Sequence, residues 1–243
     1  MNETIALMKR HRSIRKYADQ PVSEEHIRQA VRAGQAASTS AAIQACCLIR
    51  ITDEARRRRL AELAGNQTKV ARSGAFFIVC GDTRRHRLIA AREGKPYKTR
   101  LEGFLLAVID ASLFAQNLVL AFESLGYGIC YIGALRNNLP EVDRLLGLPE
   151  GVFPLFGLCV GVPAEEPLQR PRLPLEAVLL EEQYPADEEV LGLVDAYDAT
   201  YRAYLEQRGA EPEAWSAAMA GMFDRPRRGD IGGYYREKGA DLS

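Results

Sequence analysis

The sequence predicts a layered domain of helices and strands, α+β or mixed α/β. Three observations carry that expectation. Four short apolar runs, at 45–52, 75–82, 127–133 and 153–163, have the length and composition of strands. Stretches of helical periodicity separate them. One twenty-residue apolar stretch, "GFLLAVIDASLFAQNLVLAF" (103–122), is built to run through a core or along an interface.

Taken in order, "NETIALMKRH" reads as an amphipathic helix that ends in positive charge. A second helix covers 23–37, with Ser23 as N-cap and Glu24 and Glu25 in its first turn, where carboxylates oppose the helix dipole. "ACCLIRIT" (45–52) is a buried strand. Thr52 or Asp53 then caps a helix that runs to about Ala64 and stops at Gly65. "AFFIVCGD" (75–82) is the next strand, followed by a helix over 83–92, a polar loop and the long apolar helix. The strand "YGICYIG" (127–133) is entered through glycines, and Asn138 caps a helix with Pro140 in its first turn. "FPLFGLCVGVP" (153–163) is the fourth strand. Beyond the proline-rich 163–174 stretch the pattern turns helical and polar, so residues 1–186 are expected to form the main domain. Residues 187–243 then form a helical extension of the same unit.

Lysine plus arginine and aspartate plus glutamate balance at 32 each, which argues against nucleic-acid binding by bulk charge. "RRRR" (56–59) and "RRHR" (84–87) fall in helical patterns and read as solvated faces. Five cysteines, 46, 47, 80, 130 and 159, contain no C-x-x-C pair and sit among apolar neighbours. They read as small hydrophobes in a reducing compartment, with neither a disulfide framework nor a metal site expected. The first ten residues carry Glu3, Lys9 and Arg10 and do not resemble a secretory signal, so a cytoplasmic location is expected. Residues 103–122 have the length of a membrane span, but Asp110, Gln116 and Asn117 lie within them. A buried helix is therefore expected, and no membrane partner.

The candidate chemistry lies in clusters of hydrogen-bond donors. "KRHRSIRKYAD" (9–19) puts His11, Arg12, Ser13 and Arg15 just after a helix end. Arginine forks match a phosphate bidentately, but basic residues also cap helix C-termini, so charge density leaves an anion site and a capped helix end both open. "ASTSAAIQ" (37–44) sets Ser38, Thr39 and Ser40 on a turn, Gln67 stands on a loop, and "RPRLP" (170–174) offers Arg170 and Arg172 on a chain stiffened by proline. No nucleophile elbow, zinc-protease helix, P-loop or dinucleotide fingerprint occurs. Donor clusters without side-chain catalysts point to a bound cofactor that carries the chemistry.

The blocks "HRSIRKYADQPVS", "ASTSAAIQACCLIRITD", "LAGNQ", "DASLFAQNLVLAFESLGYGICYIGALRNN", the 153–165 run and "RPRLP" occur in the order found in a known family. The chain resembles the oxygen-insensitive nitroreductases of the larger type and the related NAD(P)H–FMN oxidoreductases. That resemblance implies an α+β fold with a mostly antiparallel sheet sandwiched by helices, and an intertwined homodimer with one FMN per subunit. It implies ping-pong transfer of electron pairs from NADPH or NADH to nitroaromatics, quinones or free flavin. By the same resemblance, His11, Arg12, Ser13, Ile14 and Arg15 hold the FMN phosphate and ribityl chain, and Thr39 and Ser40 lie beside the flavin. Gln67 touches it. Tyr131, Ile132, Gly133 and Ala134 run along the ring, with alanine at 134 where the family usually has glycine. Arg170, Pro171 and Arg172 match a basic pair near the phosphate and pyrimidine, and Arg208 matches an arginine that recognises NADPH. Glu211 and Glu213 follow it where relatives carry more basic residues, which implies that NADH is used at least comparably. Two alternatives stay open: a flavin reductase that supplies a partner monooxygenase, and a flavin-binding sensor without turnover.

Overall fold

The computed structural model describes residues 2–229 and 231–243. Contacts group them into two units, 2–167 with 228–243, and 168–227. The expected boundary at 186/187 falls inside the second of these.

The first unit is built on α1 (Glu3–Lys9), α2 (Glu24–Gln35), β1 (Cys46–Arg50), α3 (Glu54–Leu63), α4 (Thr68–Arg72), β2 (Ala75–Asp82), α5 (Arg84–Arg92), α6 (Arg100–Ser124), β3 (Gly128–Ile132), α7 (Leu139–Leu146) and β4 (Val152–Gly161). The four strands form one sheet in the order β1-β2-β4-β3, antiparallel throughout. The second unit carries α8 (Asp187–Gln207) and α9 (Trp215–Phe223), and α10 (Ile231–Glu237) belongs to the first unit. This is the expected α+β architecture.

Local chemistry sets the helix ends. Ser23 accepts from the backbone N–H of His26, Asp53 from that of Arg56 at 2.7 Å, and Asn138 from that of Glu141. Each satisfies one of the donors that a helix N-terminus leaves unpaired. Of the two candidate caps for α3, Asp53 is the one used. Gly65 follows α3 at φ +80°, a conformation that costs other residues but not glycine.

Every residue of β2 is buried, because both faces of the sheet are covered. Phe76, Ile78 and Cys80 face a cluster with Leu60, Val70 and Val142 from α3, α4 and α7. Ala75 and Phe77 face the other way, onto Ile27 of α2 and Phe114, Leu118 and Phe122 of α6. This is the two-residue alternation of a strand. β4 breaks it once. Its register against β2 slips opposite Val79 and Cys80, which pair with Phe156 and Pro154 and leave Leu155 without a partner. Phe153 and Leu155 thus pack among the same layer of α6 residues that Leu158 and Val160 approach further along.

α6 has a length and composition sufficient to cross a membrane. Its Ala107, Asp110, Ala111, Phe114, Ala115, Leu118, Val119 and Phe122 are buried against the sheet and α2. Leu101, Leu105, Ile109 and Leu113 stay 40–47% exposed, at four-residue intervals.

One arginine of the basic helices departs from expectation. Arg57, read from "RRRR" as solvated, turns inward and donates to the carbonyls of Val70 and Ser73 and to the Ser73 hydroxyl. Burial holds its pKa below the usual guanidinium value. Arg85 of "RRHR" pairs with Asp82 at 2.9 Å and donates to the Cys46 carbonyl.

Candidate functional site

Residues 11–17 leave α1 and lie along β3. Ser13 bridges Ile129 in parallel fashion, and the Ile14 N–H donates to the Ile129 carbonyl at 2.9 Å. Glycine at 128 permits this approach, since a Cβ there would sit 2.5 Å from Ile14 Cγ1. Further on, Tyr17 bridges Pro163, and its buried hydroxyl donates to the Ile14 carbonyl at 2.7 Å. Burial pushes that phenol well above its ordinary pKa, so it stays a donor at any physiological pH.

Pinned this way, the segment gathers donors around a cavity of about 420 Å³ lined by Arg10, His11, Arg12, Glu123, Glu165 and Glu166. His11 Nδ1 lies 2.5 Å from Glu123 Oε1, near the C-terminal end of α6. Arg12 Nη1 meets the exposed Glu166 carboxylate at 2.7 Å. Glu165 accepts the backbone N–H groups of Arg15 and Lys16, at 2.5 and 3.0 Å. Two buried atoms at this cavity lack a hydrogen-bond partner among the described residues: Nε of Arg12, a donor, and Oε2 of Glu123, an acceptor. An unpaired buried guanidinium N–H is costly unless something accepts from it. The carboxylates at 165 and 166 show what these donors attract, and a phosphate monoester carries the same chemistry with a higher charge.

Tyr131, Ile132, Gly133 and Ala134 continue from the same strand. Tyr131 is 37% exposed and its ring meets Phe156 edge-on at 5.3 Å. Gly133 and Ala134 are half-buried, and Arg136 donates to the Leu155 carbonyl at 2.6 Å. Gln67 opens α4 and donates from its amide to the Ala64 carbonyl at 2.9 Å. Two residues on, Lys69 joins Arg15 in the electrostatic surroundings of Cys130. The structure thus brings 11–15 and 131–134 to one strand, with α4 beside it. Lys69, which the sequence reading did not single out, stands among them; its only signal was its position two residues after Gln67.

Thr39 and Ser40 lie elsewhere. Asp110, buried to 2% exposure, accepts from Thr39 Oγ1 at 2.5 Å, from the Ser40 N–H at 3.3 Å and from the Ala45 N–H at 2.9 Å. The loop it organises carries Ala41, Ala42 and Gln44 at φ 47°, 57° and 51°. Three left-handed non-glycine residues so close together mark a strained loop that its surroundings must hold. Asp110 and Glu123 are thirteen residues apart on α6, hence about 20 Å along its axis. Within one chain the 39–40 donors and the 11–15 donors are therefore anchored far apart.

In the second unit, Arg170 and Arg172 are exposed on an extended chain, and Arg172 Nη1 donates to the Arg170 carbonyl at 3.4 Å. The Pro171 carbonyl between them accepts from Tyr197 on α8 at 2.9 Å. Arg208 ends α8, exposed, its N–H on the Tyr204 carbonyl.

Family models match the chain twice: the nitroreductase family over residues 8–162 and the C-terminal domain of the nitroreductase family over 170–243. Among curated proteins, the chain is 40% identical to an FMN reductase (NADPH) of Bacillus subtilis (strain 168), over 98% of each chain. It is 41% identical to a Cr(VI) reductase of Pseudomonas sp. (strain G-1), over 96% of this chain and 97% of that one. Among solved structures, the NADPH:FMN oxidoreductase of Vibrio harveyi complexed with NAD+ is 37% identical over the full length of both chains, with a TM-score of 0.91.

Proposed function

The chain belongs to the nitroreductase family, and from that premise we propose that it is an NAD(P)H-dependent FMN oxidoreductase that reduces nitroaromatics, quinones or free flavin by two-electron transfer. The observation that carries this is the segment 11–15, with a buried guanidinium N–H of Arg12 awaiting an acceptor. Bound FMN would supply the redox chemistry, taking a hydride equivalent from NAD(P)H and passing an electron pair to the acceptor.

What the chain does is bind and polarise. Arg12 and Arg15, with His11 and Ser13, offer charge-assisted donors to a phosphate dianion. Glu166 is 85% exposed, so its carboxylate can leave Arg12 for solvent when a stronger anion arrives. Gly133 and Ala134 present little side chain to a flat ring. Gln67 offers an amide, and Arg170 and Arg172 a positive field that favours negative charge on a reduced ring. Asp110 keeps Thr39 and Ser40 in one conformation. Arg208 would meet the nicotinamide co-substrate.

A second copy of the chain completes this site in our reading. The separation along α6 keeps Thr39 and Ser40 from the 11–15 donors of their own chain, and the apolar stripe Leu101, Leu105, Ile109 and Leu113 offers a face for a homodimer. Leu105→Glu with Ile109→Glu should turn a dimer into a monomer by sedimentation and release flavin; an unaltered dimer would refute this. Five free cysteines suit the cytoplasm.

The test is direct. The purified protein should be yellow, and anaerobic NADH or NADPH should bleach it; a colourless protein that takes up no FMN would end the proposal. Turnover with free FMN compared with nitrofurazone then ranks the acceptors, the name of the Bacillus relative favouring flavin.

A further inference from the structure

We propose that Cys47 and Cys80 form a reversible disulfide across β1 and β2 when the chain meets a hydroperoxide, with Cys47 as the attacking thiol and Cys80 as the resolving one.

The two are direct cross-strand partners. The Asp82 N–H donates to Ala45 and the Ile51 N–H to Phe76, so hydrogen-bonded rungs fall on the odd residues from 45 to 51. Cys47 and Cys80 therefore occupy a hydrogen-bonded pair, with Cα atoms about 5.5 Å apart. That lies inside the span of about 4.4–6.8 Å that a disulfide bridges. Both side chains point to the same face, since Cys80 belongs to the core cluster against which Cys47 packs. They differ in access. Cys80 is wholly buried, whereas Cys47 is half-buried on β1, the strand at the edge of the sheet.

Their chemistry differs in the same sense. A thiol–thiol hydrogen bond lowers the pKa of Cys47 and raises that of Cys80, which burial raises further. Burial and Asp82 oppose the Cys47 thiolate, while Arg85 favours it. The neighbouring Cys46 faces the other side of the sheet and is pushed up to about 11 by burial, so it stays a thiol. The thiolate is the nucleophile, and only Cys47 joins access to thiolate character and a partner thiol within bonding reach.

The step balances. The Cys47 thiolate attacks the peroxide oxygen, the O–O bond breaks, and one water or alcohol leaves with a proton, giving a sulfenic acid. The Cys80 sulfur displaces its hydroxyl, which takes the Cys80 thiol proton and leaves as a second water. Two thiols are oxidised by two electrons overall, and the peroxide is reduced by two. A dithiol reverses the reaction by exchange. The sequence reading, which took all five cysteines as inert small hydrophobes, misses this because it cannot see register.

The full-length protein, as isolated with its cofactor, would be treated with a slight excess of hydrogen peroxide, denatured and titrated for thiols. The count should fall from five to three, return to five with dithiothreitol, and the chain should remain one covalent copy. The Cys46→Ser variant should still lose two thiols and yield the Cys80 peptide linked to the peptide carrying Cys47. Cys47→Ser should lose none, and Cys80→Ala should stop at a sulfenic acid that dimedone traps on Cys47. A wild-type count that stays at five, a link that survives Cys47→Ser, or a bond between chains would overturn the proposal. The wild-type and Cys46→Ser arms decide the matter even if the buried Cys80 tolerates no change.

Discussion

Replacing Asp110 by asparagine changes three hydrogen bonds at once. In the native chain one carboxylate oxygen accepts from the Thr39 hydroxyl and the Ala45 N–H, and the other from the Ser40 N–H. Asparagine retains one acceptor oxygen. Set at the first position, it keeps two bonds in neutral form and turns an amide NH2 toward the Ser40 N–H. Charge-assisted bonds contribute about 1.5–3 kcal/mol and neutral ones about 0.5–1.5, so two weakened bonds and one lost bond sum to about 5 kcal/mol. Opposing this is the strain of Ala41, Ala42 and Gln44, about 1–2 kcal/mol per left-handed residue, which a released loop would shed. The loop should therefore open before the sheet does. The expected result is a melting temperature lower by about 10–20 °C, with new proteolytic cleavage between Ser38 and Gln44. Thr39→Val should give a smaller loss, and the double variant less than the sum, because both remove the same bond. An Asp110→Asn protein with wild-type melting and no new cleavage would show that this carboxylate does not hold the loop.

Other outcomes follow from the same structure. Arg15→Ala should weaken FMN binding by about 10- to 150-fold, the equivalent of one charge-assisted hydrogen bond at about 1.5–3 kcal/mol; a fluorescence titration with unchanged Kd would remove Arg15 from the phosphate site. Arg208→Ala should raise KM for NAD(P)H while the protein stays yellow. With exposed Glu211 and Glu213 close behind Arg208, NADH should serve at least comparably to NADPH, and a kcat/KM more than a hundredfold in favour of NADPH would reject this. Asp198 accepts from the Ser216 hydroxyl and N–H, which lowers its pKa. A depressed carboxylate stabilises the fold above its unfolded pKa and loses that contribution as pH falls through the folded value. Asp198→Asn should therefore be less stable than wild type at pH 7 in guanidinium unfolding, with the gap closing as pH falls through the depressed pKa of the wild-type carboxylate.

Much of this architecture was legible because it is local. Ser23, Asp53 and Asn138 cap where their side-chain chemistry says they should, and the four apolar runs became four strands. Five-residue α4 escaped notice because no side chain caps it. The slip in β4 left no trace in a run that is apolar on both faces. At the site the difference is sharper. "HRSIR" advertised itself by charge, but Glu123, Glu165 and Glu166, which take its donors, are contacts made across 112 to 154 residues. Asp110 was visible only as an anomaly in an apolar helix; its role as anchor of the 39–45 loop needed the fold. Arg57 shows the converse error, because a run of four arginines does not reveal which one turns inward.

The strap formed by residues 13–17 has a further consequence, in time rather than space. It is among the first parts of the chain to be synthesised, yet Ile129, Pro163 and Glu165 are what fix it. Such distant pairings bear a large loop-closure entropy and form late. The phosphate donors then wait, unplaced, until β3 and β4 have joined the sheet, so cofactor capture becomes a closing event of folding. Pulsed hydrogen exchange during refolding should find the Ile14 amide among the last in this unit to be protected, well after those of β2.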